Sequence, residues 1–195
     1  MSELRALALF SLVAAITPGP NNVMLWASGI QFGVRRTVPH ALGIVLGVGS
    51  MAIMAAAGLA ALIEAAPMAE TSLKVIGSAY LLYLAYQISG ASGSERTVVA
   101  QPLRLSQGLV FQYVNPKAWV FVLGAISVFR PNGLSIFVTT ALTAATIMVV
   151  VFPSTLIWTA AGSVLNRFFT SRRWSRALGI VLGALLASTV IFIWT

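Results

Sequence analysis

Apolar residues fill six long stretches of the chain, and short polar segments separate them. The stretches run over Leu4–Ile30, Val38–Ile63, Pro67–Ser89, Leu105–Phe129, Leu134–Val164 and Leu178–Trp194. A hydrocarbon core about 30 Å thick requires about 20 helical residues, and each stretch approaches or exceeds that length. Because lipid offers no hydrogen bonds to an exposed backbone, each stretch must be helical. The pattern predicts an all-α membrane protein with six transmembrane helices.

Composition supports the same interpretation. The 195 residues are 58% hydrophobic and only 8% charged, whereas soluble domains carry about 25% charged residues. Six helices use nearly the whole chain, so residues 1–195 are predicted to form a single transmembrane domain. The first stretch passes Pro18 and is longer than the apolar region of a signal peptide, and Glu3 and Arg5 nearly cancel. We therefore interpret it as a retained helix.

The basic residues predict the orientation in the membrane. Eight of them occur in the first, third and fifth predicted loops, namely Arg35, Arg36, Arg96, Arg104, Arg167, Arg172, Arg173 and Arg176. The second loop carries Glu64 and Glu70. By the positive-inside rule the odd loops are cytoplasmic and both termini lie outside, in the periplasm or extracellular space. The formal charge of +8 is thus attributed to topology, and nucleic acid is not an expected partner.

The longest connection divides the helices into two groups of three. It is a predicted cytoplasmic loop at about 90–104, which leaves repeat one at about 1–90 and repeat two at about 105–195. The first group starts outside and the second starts inside. The two groups are therefore predicted to be inverted three-helix repeats, a common arrangement in secondary transporters.

The first helix is predicted to break at Thr17-Pro18-Gly19-Pro20-Asn21-Asn22. Each proline removes an N–H group and clashes with the preceding turn. Such a break persists at membrane depth only where protein buries it or where it lines a wet cavity. Thr17 or Asn21 is expected to cap the second half-helix. The break is interpreted either as a solute site or as a structural kink, and the two asparagines favour the solute site.

A second break is predicted in the fourth helix, at Gln112-Tyr113-Val114-Asn115-Pro116-Lys117. Interruptions at matching positions of two repeats are typical of a transport site. The two half-helix N-termini would approach one centre with partial positive charge, which suits a carboxylate. Two unrelated proline kinks are the alternative. The candidate substrate-binding residues are Thr17, Pro18, Gly19, Pro20, Asn21, Asn22, Gln112, Asn115, Pro116 and Lys117.

Three individual residues also require interpretation, namely Lys117, His40 and Pro153. Lys117 is either a substrate or gate residue, or a lysine that snorkels to the cytoplasmic interface. A histidine can titrate near neutral pH, but for His40 an interfacial histidine without a task is favoured. Pro153, followed by Ser154 and Thr155, is interpreted as a structural kink.

Two small-residue motifs predict close helix packing. Gly43 and Gly47, and likewise Gly179 and Gly183, form G-x-x-x-G patterns, which let helices approach closely within one chain or between subunits. The chain has no cysteine and a single histidine. This composition argues against disulfides and against thiolate or two-histidine metal sites, and no cofactor is expected.

These motifs together resemble the LysE/RhtB family of amino-acid exporters. The resemblance rests on Thr17-Pro18-Gly19-Pro20-Asn21, Gly33-x-Arg35, Gly43-x-x-x-Gly47 and Phe111-Gln112-x-x-Asn115-Pro116-Lys117. It implies a six-helix bacterial inner-membrane exporter of amino acids, driven by an ion gradient for which the proton is one candidate. The doubled Asn21-Asn22 is similar to the branch that exports cysteine and O-acetylserine.

The functional hypothesis is secondary active export of a small amino acid by alternating access. The expected partners are the amino acid and membrane lipid. The sequence leaves undecided whether the chain forms a homo-oligomer. Alternatives are a membrane scaffold subunit without transport, or an exporter of another small solute or metal ion. A membrane enzyme is disfavoured, because the sequence has one histidine, no cysteine and no aspartate to build a catalytic centre.

Overall fold

A computed structural model describes residues 2–58, 67–90, 101–128, 134–165 and 172–194, and all regular structure in these ranges is helical. The helices are α1 (Ser2–Ile16), α2 (Pro20–Ala56), α3 (Pro67–Gly90), α4 (Leu105–Val114), α5 (Pro116–Val128), α6 (Ile136–Leu165), α7 (Arg172–Ser188) and α8 (Ile191–Trp194). The predicted all-α class is thus confirmed for the described part of the chain.

Two of these helices, α2 and α6, are long and apolar enough to cross a membrane. The pair α4 and α5 passes the same test jointly, with a bend of 74° between its members. The described ranges therefore hold two such helices, or three if the bent pair is one span. Most of the predicted cytoplasmic loop, together with Glu64, Arg96, Arg130 and Arg167, falls outside the described residues.

Helix α2 folds back on itself at Gly33. Gly33 has φ 75° and ψ 174°, a backbone conformation that favours glycine because it has no Cβ. The hydroxyls of Ser28 and Thr37 lie 2.8 Å apart, whereas residues nine apart in a straight helix are separated by about 13.5 Å. The chain therefore reverses between a first segment, α2a (residues 20–32), and a second, α2b (residues 34–56).

Segment α2b packs closely against α4 through glycines on both helices. A Cβ on Gly43 would meet the carbonyl of Leu105, and a Cβ on Gly47 would lie 2.6 Å from the Gln112 side chain. On the opposite helix, a Cβ on Gly108 would lie 2.7 Å from the His40 carbonyl oxygen. The predicted Gly43/Gly47 contact thus occurs within the chain, because it lets two backbones approach.

Two further pairs of helices also pack closely at glycines. On α2a and α6, Gly29 faces the Thr159 carbonyl and Gly162 faces the Trp26 carbonyl. On α7, Gly183 packs against the Ala85 carbonyl of α3. These contacts assemble two buried apolar clusters, one among α1, α2, α5 and α6, and one that joins α2a to α3, α4 and α7.

His40 is fully buried within the protein, at a position where the sequence suggested an interfacial histidine without a task. Its exposed fraction is 0%, and its Cδ2 lies against Gly108. Pro39 precedes it, six residues after the Gly33 reversal, where α4 already covers α2b. Neither ring nitrogen has a hydrogen-bond partner among the described residues.

We expect Gly43→Leu to destabilise the protein, because the new side chain would enter the backbone of α4. Overpacking costs about 1–3 kcal/mol, and each kcal/mol lowers Tm by roughly 2–4 °C in a chain of this size. The measurement is thermal unfolding in detergent. Leu46→Phe is the control, since Leu46 is 40% exposed. Equal Tm values for the two variants would contradict the observed packing.

Candidate substrate-binding site

The first break separates α1 from α2a over three residues. Helix α1 ends at Ile16 and α2a begins at Pro20. The N-cap is Gly19, which makes no side-chain cap hydrogen bond, so the expected capping by Thr17 or Asn21 is wrong. The Thr17 hydroxyl instead donates to the Val13 carbonyl at 2.6 Å, and this carbonyl also accepts from the Thr17 N–H at 3.0 Å.

Asn22 holds the broken ends together. Its Nδ2 donates to the carbonyls of Ala15 at 3.0 Å and Thr17 at 2.8 Å. The Ala15 carbonyl lies in the last turn of α1 and the Thr17 carbonyl just beyond it, where no helical N–H follows to pair with them. The amide of Asn22 therefore satisfies backbone groups that the prolines leave open.

The second break centres on Asn115, between α4 and α5. Asn115 has φ −93° and ψ 107°, and its carbonyl accepts from the N–H groups of Ala118 at 3.0 Å and Trp119 at 3.3 Å. Pro116 is the first residue of α5, where a missing N–H costs nothing. The indole of Trp119 reaches back and donates to the Tyr113 carbonyl at 2.8 Å. A side chain of the second half-helix thus closes this break, as Asn22 closes the first.

The two breaks meet through a reciprocal pair of amides. Asn21 Nδ2 donates to Gln112 Oε1 at 2.8 Å, and Gln112 Nε2 donates to Asn21 Oδ1 at 3.1 Å. Gln112 is fully buried, and its Nε2 also donates to the Gly108 carbonyl at 2.8 Å. The pair joins the start of α2a to the last turn of α4.

Lys117 points from the second break into the first. Its Nζ donates to the carbonyls of Thr17 and Pro18, the latter at 3.2 Å. Gly19 makes this possible, because a Cβ there would lie 2.7 Å from the lysine Cδ. The lysine ammonium is thus held by backbone carbonyls of the first break. Its charge lies at the C-terminal end of α1, where the helix dipole is negative.

A cavity of about 50 Å³ lies where the breaks meet, between α1, α2, α5 and α6. Two of its lining residues bring polar atoms that are buried without a hydrogen-bond partner among the described residues, Asn115 Oδ1 and Ser154 Oγ. Asn115 is 1% exposed and Ser154 2%. Buried polar atoms are normally paired, so these two residues of the cavity lining hold one acceptor and one hydroxyl for which the described chain provides no partner.

The cavity contains a single formal charge from the described part of the chain. Lys117 is the one Lys, Arg, Asp, Glu or His residue that lines it there. Apolar lining comes from residues such as Ile44, Val48 and Phe121. Within the described ranges no group of three or more His, Cys, Asp or Glu residues is arranged to hold a metal ion.

The structure brings most of the predicted site residues together. The cavity is lined by Gly19, Asn21, Asn22, Asn115 and Lys117. Of the other five, Thr17 and Pro18 supply carbonyls to Lys117, Gln112 pairs with Asn21, and Pro20 and Pro116 start the half-helices. The Thr17 and Pro18 carbonyls of the first break are thus already bound, by Lys117 and, at Thr17, also by Asn22.

Sequence reasoning missed the contribution of α6. Ser154 and Thr155 both line the cavity, although their proline neighbour suggested a structural kink alone. The available signal was the coincidence of Pro153 with two hydroxyl residues in a span. A proline frees a carbonyl one turn earlier, and the adjacent hydroxyls place polarity at the same depth.

Known proteins resemble this chain over most of its length. A family model described as LysE type translocator matches residues 12–193. Proteins named cysteine/O-acetylserine efflux protein, from Escherichia coli (strain K12) and from Shigella flexneri, are each 29% identical over 184 residues, which is 94% of this chain and 93% of theirs. No solved structure matches the chain. The chain therefore belongs to the LysE type translocator family, and it is a membrane-embedded transporter rather than an enzyme.

Proposed function

We propose that this protein exports a small, net-neutral amino acid by alternating access. The observation that carries the proposal is the cavity between the two breaks, with its unpaired Asn115 Oδ1 and Ser154 Oγ and its single cation, Lys117. The half-helix starts at Pro20 and Pro116 direct partial positive charge toward this region. A carboxylate fits such surroundings better than a cation does.

The proposed topology has six spans. They are α1 with α2a, then α2b, α3, α4 with α5, α6, and α7. Segment α2b alone has 23 residues and would extend about 34 Å at 1.5 Å per residue, enough to cross the hydrocarbon core. In this scheme the broken spans are the first of each three-helix repeat, and both termini lie in the periplasm of the bacterial inner membrane.

The amide pair is the proposed seal of the site. The cavity of about 50 Å³ has space for roughly three to five water molecules at about 10–15 Å³ each. An amino acid therefore needs a wider cavity than this conformation has. Separation of Asn21 from Gln112 would widen it and would release two amides to the substrate. An ion gradient, with the proton as the first candidate, would drive the alternation.

The substrate class follows from charge and from the relatives. Two relatives at 29% identity are named for efflux of cysteine and O-acetylserine, and both compounds are neutral zwitterions overall. The first test is counterflow in proteoliposomes of the purified chain, with labelled cysteine, O-acetylserine, serine, alanine and lysine. We expect exchange of at least one neutral amino acid and none of lysine. Lack of exchange across the panel would contradict export and favour a scaffold.

We expect Asn21→Leu and Asn115→Leu each to abolish efflux from preloaded vesicles. Both substitutions keep the side-chain size and remove the amide atoms that seal or line the cavity. Gln101→Leu is the control, because Gln101 is exposed before α4 and should transport normally. Gel filtration in detergent checks that each variant folds. Full efflux by either asparagine variant would remove that residue from the site.

We expect Ser154→Ala to raise the KM for the transported amino acid about 5- to 30-fold, with little change in protein yield. The reason is the loss of one hydrogen bond to the substrate, worth about 1–2 kcal/mol in a buried site. Ser188→Ala serves as the control, since that hydroxyl donates to the Leu185 carbonyl on α7. An unchanged KM for Ser154→Ala would show that α6 only shapes the cavity.

A further inference from the structure

Lys117 occupies the acceptors that best suit a substrate ammonium. Its Nζ donates to the Thr17 and Pro18 carbonyls at the C-terminal end of α1. Free carbonyls at a helix end carry partial negative charge and accept from cations. No acidic residue of the described ranges lines the cavity, so these carbonyls are its natural cation subsite.

The side chain enters this subsite from the other broken helix. Lys117 is the second residue of α5, while its acceptors follow α1, a hundred residues earlier in the chain. The aliphatic part of the Lys117 side chain lies against Gly19, where a Cβ would be 2.7 Å from the lysine Cδ. The lysine side chain has a flexible four-carbon stem. Rotation about the bonds of this stem would take the ammonium away from the carbonyls without a movement of the backbone.

We propose that Lys117 is a tethered stand-in for the substrate ammonium, and that binding of an amino acid displaces it. The incoming amino group takes the Thr17 and Pro18 carbonyls, and the displaced Lys117 ammonium pairs with the incoming carboxylate. The proposal rests on the proposed transport function and assigns the two ends of the substrate within that same cavity.

The exchange selects for zwitterions. A zwitterion replaces the lysine on the carbonyls and neutralises it with its own carboxylate. An amine without a carboxylate displaces the lysine and leaves two cations together without a carboxylate from the described lining, which is unfavourable in a low dielectric. A carboxylate without an amine binds while Lys117 stays on the carbonyls. The expected order of affinity is zwitterion, then carboxylate, then amine.

The chain permits a direct observation of the displacement, because it contains only two lysines, Lys74 and Lys117. Uniform labelling of lysine with ¹³C and ¹⁵N gives two side-chain NMR signals from the protein in nanodiscs, and Lys74→Arg assigns them. We expect saturating alanine to shift the Lys117 signal and ethylamine at the same concentration to leave it in place. A Lys117 signal unmoved by alanine, under conditions where alanine inhibits transport, would overturn the displacement.

Competition experiments test the selectivity. The probes are alanine, propionate and ethylamine as inhibitors of labelled O-acetylserine or cysteine counterflow, whichever the protein exchanges. In Lys117→Gln we expect propionate to inhibit about tenfold more weakly, because its carboxylate loses the charge-assisted contact with the lysine. We expect ethylamine to inhibit about tenfold more strongly, because its ammonium no longer competes with the lysine for the carbonyls. Lys74→Gln is the matched control and should keep the order of the unmodified protein.

The outcomes separate this proposal from the transport function. Exchange with an unchanged inhibitor order in Lys117→Gln would overturn the displacement and leave export intact. If Lys117→Gln is too slow for counterflow, equilibrium binding of the same three probes to the purified variant decides. Absence of exchange in the unmodified protein would overturn the transport proposal itself, whatever the NMR signals show.

Discussion

Backbone polar groups inside a bilayer must find partners within the protein, and this requirement shapes both broken helices. At each break a side chain from the second half-helix returns to the carbonyls of the first. Asn22 contacts the Ala15 and Thr17 carbonyls, and Trp119 contacts the Tyr113 carbonyl. The breaks are therefore stable without a substrate. Asn115, whose Oδ1 this arrangement leaves unpaired, is among the residues that line the cavity.

Close packing of α2b on α4 fixes the distance between the breaks. Gly47 leaves room for the Gln112 side chain, because a Cβ at that position would lie 2.6 Å from the glutamine Cγ. Gly108 supplies the carbonyl that orients the Gln112 amide, and that amide then reaches Asn21 on α2a. In the proposed alternation, a slide of α4 along α2b would move Gln112 away from Asn21, so the glycine contact and the proposed seal would change together.

The sequence predicted the all-α class, the reversal near Arg35 and the proximity of the breaks, because proline and hydropathy act locally. It did not predict which group satisfies which carbonyl. Asn22 and Lys117 both donate to the Thr17 carbonyl of the first break, and Gly19 replaces the expected polar cap. These outcomes depend on three-dimensional distances between segments a hundred residues apart. The burial of His40 and the part played by Ser154 depend on helix neighbours that spacing along the chain does not reveal.

Under the proposed transport function, the charges around the cavity restrict the cargo. Among the described lining residues Lys117 faces no acidic side chain, and its positive charge meets the partial negative charge at the end of α1, about half an elementary charge. A cargo with net positive charge would add to an uncompensated cation where the dielectric is low. A net-neutral cargo with separated charges would leave the sum unchanged and would provide a partner for every group that it displaces. The cavity would then accept different neutral amino acids, and its apolar wall at Ile44, Val48 and Phe121 would discriminate among their side chains.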